Sequence, residues 1–373
     1  MRIRVLGIRG LPATYSGLET IMGELAPRWV DAGHEVIVYC RKAVFKERPP
    51  EWRGVKLIYL PSIEHKVFST LSHSFLASMH ASLTASDIIL TWNAGNGPFG
   101  WFFRIAGKTA VINVDGMEWL RPKWKGIGAV YFKWAAKMAT SAFPIVITDA
   151  AEMKRLYLEE LGAETTYIAY GANIEPSEHP EVLEEYGLKS RDYYLIASRL
   201  VPDNNADLIM EAFVTSKSEK KLAIAGGADY KGNKLENEFL DKLKSIANDN
   251  VMFLGHIDNS DHIKELHHHC FGYIHGHQFG GINPSILKAL GFSNCILALN
   301  TPFNNEVLEN GKYGVLFDKT SEDLKDKIET LEQNPETVED YRSRAPEQIR
   351  KKFNWDHIAE QYIEVFDELQ KKK

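Results

Sequence analysis

MRIRVLGIRGLPATYSGLETIMGELAPRWVDAGHEVIVYC, residues 1–40, carries the pattern on which the fold turns. Ile3 to Ile8 is a short β-branched run that breaks at Gly7 and Gly10. A loop with Pro12 and Gly17 follows, and then an amphipathic stretch from Leu18 to Ala32. Gly33 and His34 stop that helix, and Glu35–Cys40 reads as the next strand. Strand, loop, helix and strand in this order form a βαβ unit, which requires a parallel sheet. The alternation continues through Ile88–Leu90, Ala110–Val114 and Pro144–Ile147.

A second βα series starts near residue 193, with strands predicted at 193–197, 221–225, 251–254, 272–274 and 295–299. Between the two series, Gly171 to Tyr186 carries Pro176, Pro180 and several acids, and reads as the linker. At 373 residues the chain suits two domains of roughly 150–200 residues rather than one core. The expected fold class is α/β, with two doubly wound Rossmann-like domains at residues 1–172 and 173–353. A C-terminal helix at about 354–373 is expected to pack back on the first domain. Ligands in such folds sit at the carboxyl ends of the strands.

Composition excludes several classes. The 44% hydrophobic and 25% charged content is that of a folded soluble body. Cys40, Cys270 and Cys295 are odd in number and lie in apolar runs, so no disulfide framework is expected. The N-terminus is too short in apolar residues for a signal peptide, and no stretch approaches the roughly 18 apolar residues of a membrane span. A cytoplasmic location is expected. Residues 1–170 hold 20 Lys/Arg against 15 Asp/Glu, whereas the remainder holds 24 against 35. Either the first half meets an anionic surface or substrate, or the asymmetry is compositional scatter.

Three stretches carry candidate chemistry. The loop Gly7–Gly17 joins a strand to a helix and can cradle an anion, although it lacks the G-x-G-x-x-G of a dinucleotide fold. Ser198–Asn205 follows the first strand of the second series and puts Arg199, whose fork suits a diphosphate, at a strand's carboxyl end. Tyr273–Gly291 runs from a strand through Gly280-Gly281 into a helix capped by Asn283 with Pro284 first, an arrangement expected to leave N–H donors free for phosphate or sugar. The histidines at 267–269, 275 and 277 match no zinc spacing, and no D-x-D pair stands at a strand end, so no metal and no cofactor are expected. Arg121–Lys125 and the helix through Tyr131–Lys137 interleave bases with aromatics, which fits either membrane-surface docking or core packing with snorkelling lysines.

These motifs together resemble glycosyltransferase family 4, in its bacterial rhamnosyltransferase-like branch. The resemblance rests on Gly7–Ala13, Gly17–Thr20, His34–Arg41, Val114–Trp119, Ile168–Ala172, Arg199–Asn205 and His275–Leu290, and covers nearly the whole chain. It implies a GT-B fold with its two domains facing across a cleft, and metal-independent, retaining transfer of a hexosyl group, with dTDP-L-rhamnose the expected donor. The acceptor it implies is a glycan or a lipid-diphosphate-linked chain in surface polysaccharide synthesis, reached by peripheral contact with the anionic inner membrane face. No nucleic-acid partner is expected. By the same resemblance Asp115 and Arg199 are catalytic. Gly10, Gly17, Asn204, His256, Ile257, His277, Gly281, Ile282, Asn283, Ser285 and Lys288 hold the donor. Glu118, Trp119, Arg121, Lys123 and Trp124 lie on the acceptor or membrane side. The chain departs from the wider pattern at Asn204, where a lysine is usual, and at Gly280 and Lys288, where a pair of glutamates is usual. Those departures favour one alternative, a nucleotide-sugar-binding protein with weakened turnover; the other alternative, a GT-B sugar-nucleotide epimerase, is disfavoured because no pair of crevice carboxylates stands ready to shuttle a proton.

Overall fold

The structure, a computed structural model, describes all residues except 14–16, 66–67, 115, 121–125, 228–233 and 373, with residue 120 and residues 234–237 described for backbone only. In chain order the elements are β1 (Arg2–Leu6), α1 (Gly17–Asp31), β2 (Glu35–Arg41), β3 (Glu51–Trp52), β4 (Val55–Leu60), α2 (Phe68–Leu83), β5 (Ile88–Trp92), α3 (Gly100–Ile105), β6 (Ala110–Asn113), α4 (Ile127–Ala142), β7 (Ile145–Thr148), α5 (Ala151–Leu161) and β8 (Thr166–Tyr167). They continue with α6 (Val182–Glu185), β9 (Tyr193–Ala197), α7 (Ala206–Thr215), β10 (Lys221–Ala225), α8 (Lys234–Ile246), β11 (Val251–Gly255), α9 (Ser260–His269), β12 (Gly272–His275), α10 (Pro284–Gly291), β13 (Ile296–Leu299), α11 (Pro302–Val307), β14 (Val315–Phe317), α12 (Ser321–Gln333), α13 (Pro335–Lys352) and α14 (Trp355–Lys371).

Two compact units result. The first comprises Met1–Gly171, Gly280–Ile282 and Trp355–Lys373; the second comprises Ala172–Phe279 and Asn283–Asn354. The first unit holds an eight-stranded sheet in the order β3-β4-β2-β1-β5-β6-β7-β8. Among the described residues only β3 runs antiparallel to its neighbour. Ile3 stands between Val36 on one side and Ile88 on the other. Central parallel strands are covered on both faces, which is why β2 and β5 read as unbroken apolar runs rather than alternating ones. α14 closes the first unit against α1. Trp29, fully buried, donates its indole N–H to the Ala359 carbonyl at 3.1 Å and meets Tyr362 and Phe366 edge-on. A buried ring of that size contributes roughly 1.5–3 kcal/mol.

The second unit holds a six-stranded, all-parallel sheet in the order β11-β10-β9-β12-β13-β14. From β9 the chain first winds outward to β10 and β11, then returns to place β12 on the other side of β9. The strand order therefore reverses between β9 and β12. The chain leaves the carboxyl ends of those two strands toward opposite sides of the sheet, which is the usual ligand position of a doubly wound sheet. Their sequences are Ser198–Asn205 and Gly276–Asn283.

Candidate donor-binding site

The two loops are locked together by asparagines. Asn205 adopts a left-handed conformation, φ 51°, and its amide donates to the Gly276 carbonyl at 2.8 Å. Gln278 donates its backbone N–H to the Asp203 carbonyl at 3.2 Å. Position 276 must be glycine, because a Cβ there would come within 2.3 Å of the Asn204 carbonyl oxygen. Asn304, from α11, donates to the carbonyls of Leu299 and His277 at 2.8 and 3.2 Å and fixes the second loop from below.

Asn204 is buried between them. Its Nδ2 lies 2.7 Å from the Arg199 carbonyl and its Oδ1 lies 2.8 Å from His277 Nδ1. A carbonyl only accepts, so the amide nitrogen must face Arg199 and the amide oxygen must face the imidazole. The amide oxygen also only accepts, so His277 Nδ1 carries the hydrogen. In the neutral ring Nε2 is then the lone-pair nitrogen, the one able to accept from a hydroxyl or take up a proton. Asn204 was expected to touch the donor itself; its geometry is that of a residue that shapes the loops on either side. Arg199, one turn earlier, is exposed at the carboxyl end of β9.

Beyond β12, His275 is buried. Its Nδ1 lies 3.0 Å from the Tyr273 hydroxyl, and burial drives its pKa well below the usual histidine value, so the ring is neutral. The chain then turns at Gly280, φ 104°, into α10. Asn283 caps that helix by accepting from the Ser285 N–H at 2.8 Å, Pro284 has no N–H, and the Ile286 N–H goes back to the Asn283 carbonyl at 3.2 Å. The expectation of free donors at the helix start is thus corrected, because the first turn consumes them internally. The backbone N–H groups of Gly281, Ile282 and Asn283, in the loop ahead of the helix, make no hydrogen bond to any described residue. Position 281 has no room for a side chain, since a Cβ there would lie 1.9 Å from the Asp149 carboxylate. Ser285 is correspondingly a capping partner, and Lys288 is exposed on α10. His256 is also exposed, 3.1 Å from Asp258, with Ile257 half-buried beside it.

In the first unit, Gly10 has φ 132° and no room for a side chain, since a Cβ would lie 2.6 Å from Cys40 Sγ. Packing against β2, rather than approach of a ligand, requires glycine there. Gly17 is exposed at the start of α1. Glu19, which was not singled out as a site residue, is buried and accepts the Arg9 backbone N–H at 2.7 Å, so it holds the first loop. The motif Gly17–Thr20 contained that signal without its role. Trp119 does not face solvent. It is buried edge-on against Tyr157 with its N–H directed at Glu160, and Glu118 beside it is buried too. Asp115, Arg121, Lys123 and Trp124 lie outside the described residues.

Comparison with solved structures decides the architecture. The chain superposes over its whole length on sucrose-phosphate synthase from Thermosynechococcus elongatus, with a TM-score of 0.85, 15% identity and all of that chain covered. The fold is GT-B. A second GT-B structure, the Anabaena protein HepE in complex with UDP and glucose, matches with a TM-score of 0.80 and 17% identity over 99% of this chain and 100% of that one. Residues 180–348 match the family Glycosyl transferases group 1, and residues 1–173 match Domain of unknown function (DUF1972). By sequence, an uncharacterized glycosyltransferase of Methanocaldococcus jannaschii is 25% identical over 252 residues, which span 64% of this chain and 62% of that relative.

Within this GT-B chain Arg199 is a permanent cation at the carboxyl end of β9, where the strand order of the second sheet reverses, and can take negative charge from a departing diphosphate. Among the described residues no cluster of three or more His, Cys, Asp or Glu could hold a metal ion, and no helix is long and apolar enough to cross a membrane.

Proposed function

We propose that the protein transfers a hexosyl group from a nucleoside diphosphate sugar to a glycan or lipid-diphosphate-linked acceptor, with retention and without a metal. The observation that carries this reading is Arg199, a permanent cation exposed at the carboxyl end of β9, where the strand order of the second sheet reverses. The GT-B relative HepE holds UDP and glucose, which supports a nucleotide sugar as ligand. The proposed donor is dTDP-L-rhamnose, and the setting is surface polysaccharide synthesis at the inner membrane face. Lysine at 288 is donor-only, whereas a glutamate would accept hydrogen bonds from ribose hydroxyls; a deoxyribonucleotide makes less demand on that missing acceptor.

The test is thermal shift with dTDP, UDP, GDP and ADP, followed by donor turnover with and without EDTA. A nucleotide at 100 times its Kd adds about 2.7 kcal/mol and raises the melting temperature visibly. The expected result is the largest shift with dTDP and turnover unaffected by chelation. Failure of every nucleotide to shift the transition would overturn the reading. A second reading, a nucleotide-sugar-binding protein with weakened turnover, is favoured by Gly280 and Lys288 in place of glutamates; stabilisation by nucleotide with neither transfer nor donor hydrolysis would select it.

A further inference from the structure

α2 is built inside out. Its buried residues are His73, Ser74, Ala77, Ser78 and Ala81, which are small or polar. Its large apolar side chains, Phe68, Phe75, Leu76, Met79 and Leu83, are exposed, Leu83 by 83%. A helix whose outer face meets water orders these the other way, since apolar area removed from water is what drives its packing. The inward face does not recover the loss through hydrogen bonds. The hydroxyls of Ser74 and Ser78 are buried without a partner among the described residues. The sixteen residues of α2 include no Asp, Glu, Lys or Arg.

The apolar face continues onto α3. Phe75 meets Phe99 and Phe102 edge-on at 6.3 and 5.6 Å, the latter two stack on each other at 6.2 Å, and Ile105 is 83% exposed. Basic groups border the face. Arg104 and Lys108 direct hydrogen bonds to the carbonyls of Ser141 and Thr84 and form no ion pair among the described residues.

We propose that the α2–α3 face docks on an anionic phospholipid bilayer, with Phe75, Leu76, Met79, Leu83 and Ile105 entering the boundary between headgroups and acyl chains. An interfacial face needs this pairing of apolar side chains with flanking cations. The charge also argues against a second copy as occupant, because a two-fold contact sets the same patch against itself and brings like charges together. The proposal names a surface for the membrane contact given above and does not depend on the transferase reading.

Flotation of the full chain with vesicles of phosphatidylethanolamine and phosphatidylglycerol tests it, with phosphatidylcholine vesicles as control. The protein is expected to float with the anionic vesicles at 0.1 M salt and to dissociate towards 1 M, as the screening length falls from about 10 Å to about 3 Å. Phe75→Ser with Leu76→Ser and Met79→Ser should lower partitioning by about tenfold or more. Because Phe75 packs on other rings, Leu83→Ser with Ile105→Ser serves as a second variant that leaves that packing intact, with the same direction expected. Nucleotide-induced thermal shift, measured on the same samples, reports the transferase reading separately. The proposal is overturned if the wild type stays unbound at 0.1 M salt, if neither variant lowers partitioning, or if light scattering finds a dimer that both variants dissociate.

Discussion

Asn204 does its work through two neighbours, and each can be measured. Substitution by leucine leaves the Arg199 carbonyl and the His277 Nδ1–H without their partner, at a cost of about 1–3 kcal/mol in stability if both stay dry. Nitrogen NMR of the neutral imidazole should show hydrogen on Nδ1 in the wild type, and a mixture of tautomers in Asn204→Leu. A neutral wild-type ring with Nδ1 unprotonated would refute the assignment. Arg199 makes a different demand. Arg199→Ala should weaken nucleoside diphosphate binding by roughly 1.5–3 kcal/mol in calorimetry, the range for a charge-assisted hydrogen bond; unchanged affinity removes it from the site. Arg199 was legible because its position after a strand is local information. The role of Asn204 was not, because its partner His277 is 73 positions away.

At the scale of elements, the segment entering the second unit is clamped by one carboxylate. Glu265 on α9 is fully buried and accepts from the Ser177 hydroxyl at 2.6 Å and from the backbone N–H groups of Glu178 and His179 at 2.8 and 3.0 Å. Burial alone would raise its pKa, but those three donors outweigh it and hold the group below the ordinary 4.5. A depressed folded-state pKa means stabilisation that is present above the unfolded value and lost as pH falls through the folded one. Glu265→Gln should therefore lower stability near neutrality by about 1–3 kcal/mol and flatten the loss below pH 4.5. Urea titrations at pH 7 and in acid check this; equal acid sensitivity in both proteins would exclude Glu265 as its source. Pro176 and Pro180 mark this segment in the sequence. Its anchor goes unmarked, since a buried glutamate on a polar helix looks in sequence like any solvated one.

Across the whole molecule, histidines buried as neutral rings set an acid limit. Burial pushes His73 down to about 4 and His267 down to about 3, and lowers His275 as well, against an ordinary value of 6.5. The unfolded chain binds protons at these sites near pH 6.5 while the folded chain does not, so stability rises with pH through this window and is lost as pH falls below it. The urea midpoint is expected to drop by a measurable step between pH 7.5 and 5, and His267→Phe should reduce that drop; a midpoint level across the range would contradict the buried neutral state. The residues by themselves determined the α/β class and its two βα series, because short apolar runs punctuated by glycine and proline are local signals of a buried parallel strand. They also determined where positive charge accumulates. β3, β8 and β14 escaped the sequence reading because two or three residues carry no period, and β4 because one exposed lysine breaks its run. Only the tertiary structure decided that the first turn of α10 satisfies its own donors, that His277 carries its hydrogen on Nδ1, and that α2 turns its large apolar side chains outward. Each of those depends on which groups, distant in the chain, come within hydrogen-bond or packing distance, and no local pattern contains that distance.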